Sequence, residues 1–264
     1  MVKRAYRSIA LGRNRPPADS VKFHLRDYLD LAKIPPPPAS FSYAPKAGKP
    51  LAEMYDNDVL GCCVPACMGH MEGVFTANAG LPALTFSSAD IIAAYSAIGG
   101  YVPGDSSTDN GCDEHTALSY WKQTGFPLPG ANKIIGWVSV DGSKPQEYLA
   151  ALWLFENLMF GVELPDTWID PFPSASGFIW RAEGPPNPEN GHCFCAVGSS
   201  PSGLEIDTWG MLGVVTPGAV AKYATTAGQG ELYAVLSPEI IVRASGKAPA
   251  GIDLAALQAD LAAL

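Results

Sequence analysis

The sequence predicts an α+β fold, because helical signals gather in its first half and strand signals in its second half. Between residues 63 and 157, four segments have helical composition and recognisable ends. Between residues 158 and 236, four short apolar or alternating runs are separated by Gly, Pro and Ser. A length of 264 residues with 47% hydrophobic residues is sufficient for a globular body with a substantial core.

The helices are predicted from their start and stop residues. The first begins at Cys63 and runs to about Ala79, since Pro65 is tolerated only in a first turn. Ser88 is a suitable N-cap for the second helix, which Gly99 and Gly100 end. The third and fourth helices are predicted over residues 113–123 and 145–157.

The strands are predicted from alternation and from β-rich composition. They are expected over residues 133–140, 158–164, 192–198, 204–209 and 231–236. The turn over residues 198–203 is short, so the strands on either side of it form an antiparallel hairpin.

Charge divides the chain at about residue 50. Residues 1–50 carry ten basic and three acidic side chains, a net charge of +7, whereas residues 51–264 carry a net charge of −16. The four consecutive prolines at 35–38 favour an extended polyproline segment. We therefore predict a basic, Pro-rich arm over 1–50, a body over 51–250 and a C-terminal helix over 251–264.

Composition excludes several classes of protein. No apolar run approaches the roughly 18 residues that span a bilayer, and the basic N-terminus lacks the apolar stretch of a secretory signal. A net charge of −9 argues against a general nucleic-acid binder. Six cysteines without a secretory signal indicate reduced thiols in the cytoplasm or in a virion, used for catalysis or metal binding.

Cys63 is the strongest candidate nucleophile. A predicted helix N-terminus supplies partial positive charge and free N–H groups that favour a thiolate, and Asn57 lies six residues earlier as a donor to an oxyanion. His192 begins an apolar strand, and Asp207 lies on the next strand. The hairpin is expected to bring the two side by side, so that Asp207 orients the imidazole.

These motifs resemble those of the papain-like cysteine peptidase superfamily. Asn57-x5-Cys63 is similar to the family's Gln-x5-Cys, Gly191-His192 resembles its Gly-His segment, and Asp207-Thr208-Trp209-Gly210 resembles its Asn-Ser-Trp-Gly. The resemblance implies a helical half that holds the nucleophile helix, packed on an antiparallel β half. It also implies Cys63, His192 and Asp207 as catalytic residues, Asn57 with the Cys63 backbone N–H as oxyanion hole, and Trp209 as a shield over the imidazole.

Alternatives remain open at several positions. Asp58 is the equivalent of the family's Gln if the alignment shifts by one residue, and Cys62 competes with Cys63. A zinc site is disfavoured because no two tight Cys pairs occur, and no cofactor is implied. Cys193 and Cys195 alternate on one strand and are expected to pack as core residues.

The leading functional prediction is a cysteine hydrolase that cleaves a peptide or amide bond through a thioester. The second is a papain-like module that serves an assembly such as a phage virion, with the basic arm contacting a protein partner. The third is a transglutaminase-like acyl transferase. The arm is either a propeptide or a permanent strap, and its limited length and low helical content favour the strap.

Overall fold

The computed structural model describes residues 9–17, 20, 23–243 and 256. Helices are present at α1 Leu25–Tyr28, α2 Cys63–Asn78, α3 Ser88–Gly99, α4 Glu114–Gln123, α5 Pro145–Phe155, α6 Asp166–Ile169, α7 Pro217–Tyr223 and α8 Pro238–Arg243. Strands are present at β1 Phe41–Ser42, β2 Gly136–Ser139, β3 Leu158–Glu163, β4 Phe178–Trp180, β5 Gly191–Ser200, β6 Gly203–Thr208, β7 Met211–Val215 and β8 Glu231–Leu236. The predicted α+β class is confirmed.

The strands form one sheet with the order β2-β8-β3-β5-β6-β7-β4, and β1 pairs with β5 outside that path. Every pairing is antiparallel except that of β4 with β7. Strand β5 lies in the centre, where its side chains are buried from Gly191 to Gly198. This buried central strand carries His192, so pairing on both sides of β5 fixes the position of the His192 backbone.

Helix α2 is the central helix of the helical half. Each of its residues except Asn78 is buried, so the helix has no solvent-exposed side that would require a stripe of polar residues in its sequence. It packs mainly against β5 and the neighbouring helices. The start at Cys63 agrees with the sequence prediction, and Cys62 is the N-cap.

The predicted helix ends are confirmed to within a few residues. Ser87, one residue before the expected cap, forms a capping box with Asp90 and places the first turn of α3 at Ser88. Gly100 ends that helix at a φ of 74°, a left-handed conformation that favours glycine. Asp113 caps α4 by accepting from the Thr116 N–H.

The five predicted strands are present as β2, β3, β5, β6 and β8. The sequence prediction missed β1, β4 and β7, which have two, three and five residues. Two or three residues show no alternation, so only their long-range pairing identifies β1 and β4 as strands.

The arm packs on the body through several of its described residues, whereas residues 35–40 are mostly exposed. Residues 41–42 pair with β5, and the Tyr43 N–H donates to the Val197 carbonyl. Leu25 is fully buried and Ala47 is also fully buried, so both belong to the core. The predicted C-terminal helix over 251–264 lies, apart from Ala256, outside the described residues.

No helix in the described part of the chain is long and apolar enough to cross a bilayer.

Candidate active site

Buried cysteine side chains form the contact between helix α2 and strand β5. Cys67 on α2 contacts the thiols of Cys193 and Cys195 on β5, and all three side chains are buried. All six cysteines are free thiols. The close packing of small thiols lets helix and strand approach, and it holds Cys63 at the helix start beside the first residues of β5.

The Cys63 thiol is fully buried. The backbone N–H groups of Gly12 and Cys193 both point at its sulfur and favour the thiolate, but burial outweighs them and raises the pKa of the Cys63 thiol well above its ordinary value. The thiol is therefore protonated at neutral pH in this structure. The helix N-terminus alone does not make it reactive.

The arm causes this burial, because residues 10–14 cross the molecule directly over Cys63. The Ala10 N–H donates to the Asp58 carbonyl at 3.3 Å, and the Cys112 N–H donates to the Gly12 carbonyl at 2.9 Å. The Arg13 N–H donates to the Gly191 carbonyl at 3.0 Å, which places the arm beside the start of β5 as well. An extended peptide segment thus occupies the cleft between the helical half and the sheet.

Glycines line that cleft where the arm passes. A Cβ on Gly12 would lie 2.0 Å from the Gly61 carbonyl oxygen, and a Cβ on Gly111 would lie 1.9 Å from the Gly12 carbonyl oxygen. A Cβ on Gly191 would lie 2.1 Å from the Arg13 carbonyl oxygen. The cleft is therefore built for backbone-to-backbone contact, which requires residues without side chains.

His192 is fully buried, and the partners of its ring are clear. Its Nε2 lies 2.8 Å from Thr208 Oγ1, and its ring stacks on Trp209 at 4.2 Å between centroids with planes 17° apart. Burial lowers the pKa of His192 to about 3, so the imidazole is neutral. Nδ1 has no hydrogen-bond partner among the residues that the structure describes.

The neutral tautomer follows from these contacts. Orphaned buried N–H groups are rarer than orphaned acceptors, so the arrangement favours Nε2–H donating to Thr208 Oγ1. Nδ1 then carries a lone pair that can accept a proton. The indole of Trp209 covers one face of the ring.

Asp207 does not lie beside His192, and the predicted pairing needs correction. Its Oδ2 lies 3.0 Å from Nδ1 of His70 on α2, and that nitrogen is also 3.1 Å from the Pro50 carbonyl. Burial raises the pKa of Asp207, and the nearby His70 opposes that rise. Thr208, to which the sequence analysis gave no role, is the residue within hydrogen-bond distance of the His192 ring.

A β-bulge explains the correction. The register of β5 with β6 shifts between Ala196 and Gly198, so that Asp207 lies opposite Cys195. Without the shift, the turn would place Asp207 opposite Ala196, on the same face of the sheet as His192. A slip of one residue moves a side chain to the other face, and here it turns Asp207 toward α2.

The remaining predicted residues lie in the loop before α2. Asn57 is buried, and its Oδ1 has no partner within the described ranges. Cys62 donates to the Tyr55 carbonyl at 3.5 Å, and burial raises the pKa of Cys62 to about 12. Of the two neighbouring thiols, Cys63 is the one toward which backbone N–H groups of the arm and of β5 converge.

Within the described part of the chain, no group of three or more His, Cys, Asp or Glu side chains is arranged to hold a metal ion.

These features define a papain-like α+β fold, with α2 packed on an antiparallel sheet and a cleft between the two halves. No model of a known protein family matches the sequence, and no curated protein matches it either. Solved structures do match. Xylellain, a cysteine protease from Xylella fastidiosa, is similar with a TM-score of 0.63 and 15% identity, over 90% of this chain and 99% of that one.

Two further cysteine proteases share the architecture. A procathepsin B from Trypanosoma congolense matches with a TM-score of 0.59 and 12% identity, over 84% of this chain and 85% of that one. A digestive procathepsin L from the larval midgut of Tenebrio molitor matches with a TM-score of 0.58 and 11% identity, over 88% and 77%. At these identities the likeness shows the fold, and the expected papain-like architecture is confirmed.

Proposed function

We propose that the protein is a cysteine hydrolase that cleaves a peptide or amide bond, with Cys63 as the nucleophile and His192 as the base. The observation that carries this proposal is the arm itself. Residues 10–14 bind across Cys63 as an extended peptide, held by backbone hydrogen bonds to Cys112 and Gly191. A cleft that holds one peptide backbone over a helix-start thiol is suited to bind another.

The chemistry follows from the positions of the protons. Nδ1 of His192 has no hydrogen-bond partner among the described residues in the covered form, so it accepts the Cys63 proton only after the arm has left and the two side chains have approached. Thr208 holds Nε2 meanwhile, and the thiolate attacks the carbonyl carbon of the substrate. The Cys63 backbone N–H and the Asn57 amide stabilise the oxyanion. The imidazolium then protonates the leaving amine, and water attacks the thioester to release the acid and regenerate the thiol.

Turnover requires the arm to leave the cleft. Displacement of residues 10–14 admits water to Cys63, which removes the main cause of its raised pKa. The same step breaks the bond from the Arg13 N–H to the Gly191 carbonyl, next to His192, and water that reaches the imidazole there raises its pKa from about 3 toward its ordinary range. The covered form is therefore inactive. This holds whether the arm is a strap that moves away from the cleft or a propeptide that is removed by cleavage.

The test is a Cys63-dependent reaction in the full chain carrying Gly12→Ala, a change that the cleft cannot accommodate with the arm in place. Hydrolysis of a peptide library that disappears in Cys63→Ser and His192→Ala supports the proposal. A peptide aldehyde should add to Cys63 in the same variant. Incorporation of an added amine without hydrolysis would instead identify the acyl transferase.

A papain-like module without turnover, such as a component of a phage virion, is the second candidate. The contact of Asp207 with His70 favours it, because the carboxylate is then not available to orient His192. Under this alternative, the Gly12→Ala chain has no Cys63-dependent reaction with peptide or amine, although its thiol becomes accessible.

A further inference from the structure

The side chain of Arg13 enters a pocket of the body beside the cleft. It is 1% exposed, and its Nε lies 3.2 Å from each carboxylate oxygen of Glu114. Its Nη1 donates to the Gln229 carbonyl at 3.3 Å. The guanidinium is therefore held by a carboxylate on one side and a carbonyl on another, a geometry that a planar fork of donors satisfies and a lysine ammonium does not.

The pocket is constructed around that carboxylate. A Cβ on Gly161 would lie 2.1 Å from Glu114 Oε1, so β3 is close to the carboxylate only because residue 161 has no side chain. Glu231 adds negative charge that acts on both Arg13 and Glu114, and the Tyr233 hydroxyl donates to Glu231 Oε2 at 2.5 Å. Burial raises the pKa of Glu114 to about 7, and the charge of Arg13 opposes that rise.

The two carboxylates of the pocket belong to the body, Glu114 at the start of α4 and Glu231 on β8, whereas the guanidinium belongs to the arm. Arg13 is the residue directly after Gly12, whose N–H points at the Cys63 sulfur. The occupied pocket is therefore one residue away from the candidate nucleophile. When the arm leaves, a fully buried carboxylate loses its only guanidinium partner among the described residues, and leaving it unpaired is costly.

We propose that this pocket is an arginine-recognition subsite, and that the substrates are peptides with an arginine next to the residue that lies over Cys63. Arg13 occupies the subsite in the covered form. This inference rests on the proposed hydrolase function, since it assigns a substrate class to the same cleft. The net charge of −16 outside the arm also favours basic peptides.

The first experiment measures ligand binding without activity. In the full chain carrying Arg13→Ala, ethylguanidinium replaces the atoms that the substitution removes. We expect it to raise the unfolding temperature by roughly 2–4 °C, while ethylammonium and ethylurea do not. Arg15→Ala is the matched control, because Arg15 pairs with Glu163 but its side chain is 53% exposed.

A folded Arg13→Ala chain without a specific response to ethylguanidinium would overturn the proposal. The response should also disappear when Glu114→Gln is added, and its persistence there would place the ligand elsewhere and overturn the proposal as well.

The second experiment does not need the Arg13 variant to fold. The full chain with Gly12→Ala is given paired peptides that differ only in arginine or its neutral isostere citrulline at one position. We expect kcat/KM to be about thirtyfold or more higher for arginine. Cys63-dependent cleavage with equal rates would refute the subsite and leave the hydrolase intact. Stabilisation by ethylguanidinium without any Cys63-dependent cleavage would refute the hydrolase and leave a guanidinium pocket.

Discussion

Replacing Gly12 by alanine should release the arm and uncover Cys63. The added Cβ would lie 2.0 Å from the Gly61 carbonyl oxygen and 2.4 Å from its carbonyl carbon. Real Cβ contacts are essentially never shorter than 3.0 Å, so the arm or the loop before α2 must move by about 1 Å. The obstacle is backbone on both sides and cannot be avoided by a change of rotamer.

The size of the effect follows from the hydrogen bonds that such a shift breaks. The Cys112 N–H to Gly12 carbonyl bond and the Arg13 N–H to Gly191 carbonyl bond measure 2.9 and 3.0 Å. A hydrogen bond contributes about 1 kcal/mol net, so two lost bonds weaken the covered state by about 2 kcal/mol. That free energy corresponds to roughly thirty times more of the uncovered form.

Alkylation measures that population. Iodoacetamide is added to the full chain at neutral pH, and the modified thiol is identified by peptide mass, with Cys63→Ser as the blank. The alkylation rate of Cys63 should rise by one to two orders of magnitude in Gly12→Ala. Gly48→Ala is the matched control, because that glycine is also in the arm but a Cβ there meets nothing within 4 Å.

Equal alkylation rates in Gly12→Ala and Gly48→Ala would refute the reasoning that the arm buries the thiol. A general rise over all six cysteines would also refute it, since that pattern reports loss of the whole fold.

Three further predictions concern single side chains. Thr208→Val should reduce Cys63-dependent activity more than Asp207→Asn does, because Thr208 holds His192 Nε2; the opposite order in kcat would restore Asp207 as the orienting residue. Burial raises the pKa of Glu72 to about 8 in the folded protein, so its contribution to stability is complete below about pH 4.5 and is lost as pH rises through 8. Unfolding temperatures of Glu72→Gln should therefore exceed those of the wild type increasingly from pH 5 to pH 9, and a constant difference would contradict this. Ser87→Ala should cost about 1 kcal/mol in urea unfolding by removing a cap, whereas Ser88→Ala should have little effect.

The sequence was most informative where a local signal determines structure. Helix α2 begins at Cys63 because a proline two residues later fits only in a first turn, and α3 ends at Gly100 because that position is left-handed. Strand β5 could be predicted from its long apolar run. Each of these features depends on a few neighbouring residues, so each can be predicted from a single sequence.

The site depended on features that a sequence does not display. The bulge between Ala196 and Gly198 changes which face Asp207 occupies, and nothing in the residue types marks it before the pairing is known. The correct choice between Asp207 and Thr208 therefore required the register.

The position of the arm was also beyond sequence reasoning. The opposite net charges of the arm and the body are visible in the sequence, but they do not indicate that Arg13 in particular is buried against Glu114. The partners lie 101 positions apart, and neither has a periodic pattern around it that selects the other. Only the folded chain brings them together.

The burial of α2 on all sides has a consequence for hydrogen exchange. Its residues up to Ala77 are inside the protein, so its amide protons should exchange only when the whole molecule opens. Amides of residues 10–14 need only a local opening, because they are held by a few bonds at the rim of the cleft. Cys63 lies where this protected helix meets a segment that opens locally, so its sulfur is fixed on one side and can be uncovered from the other.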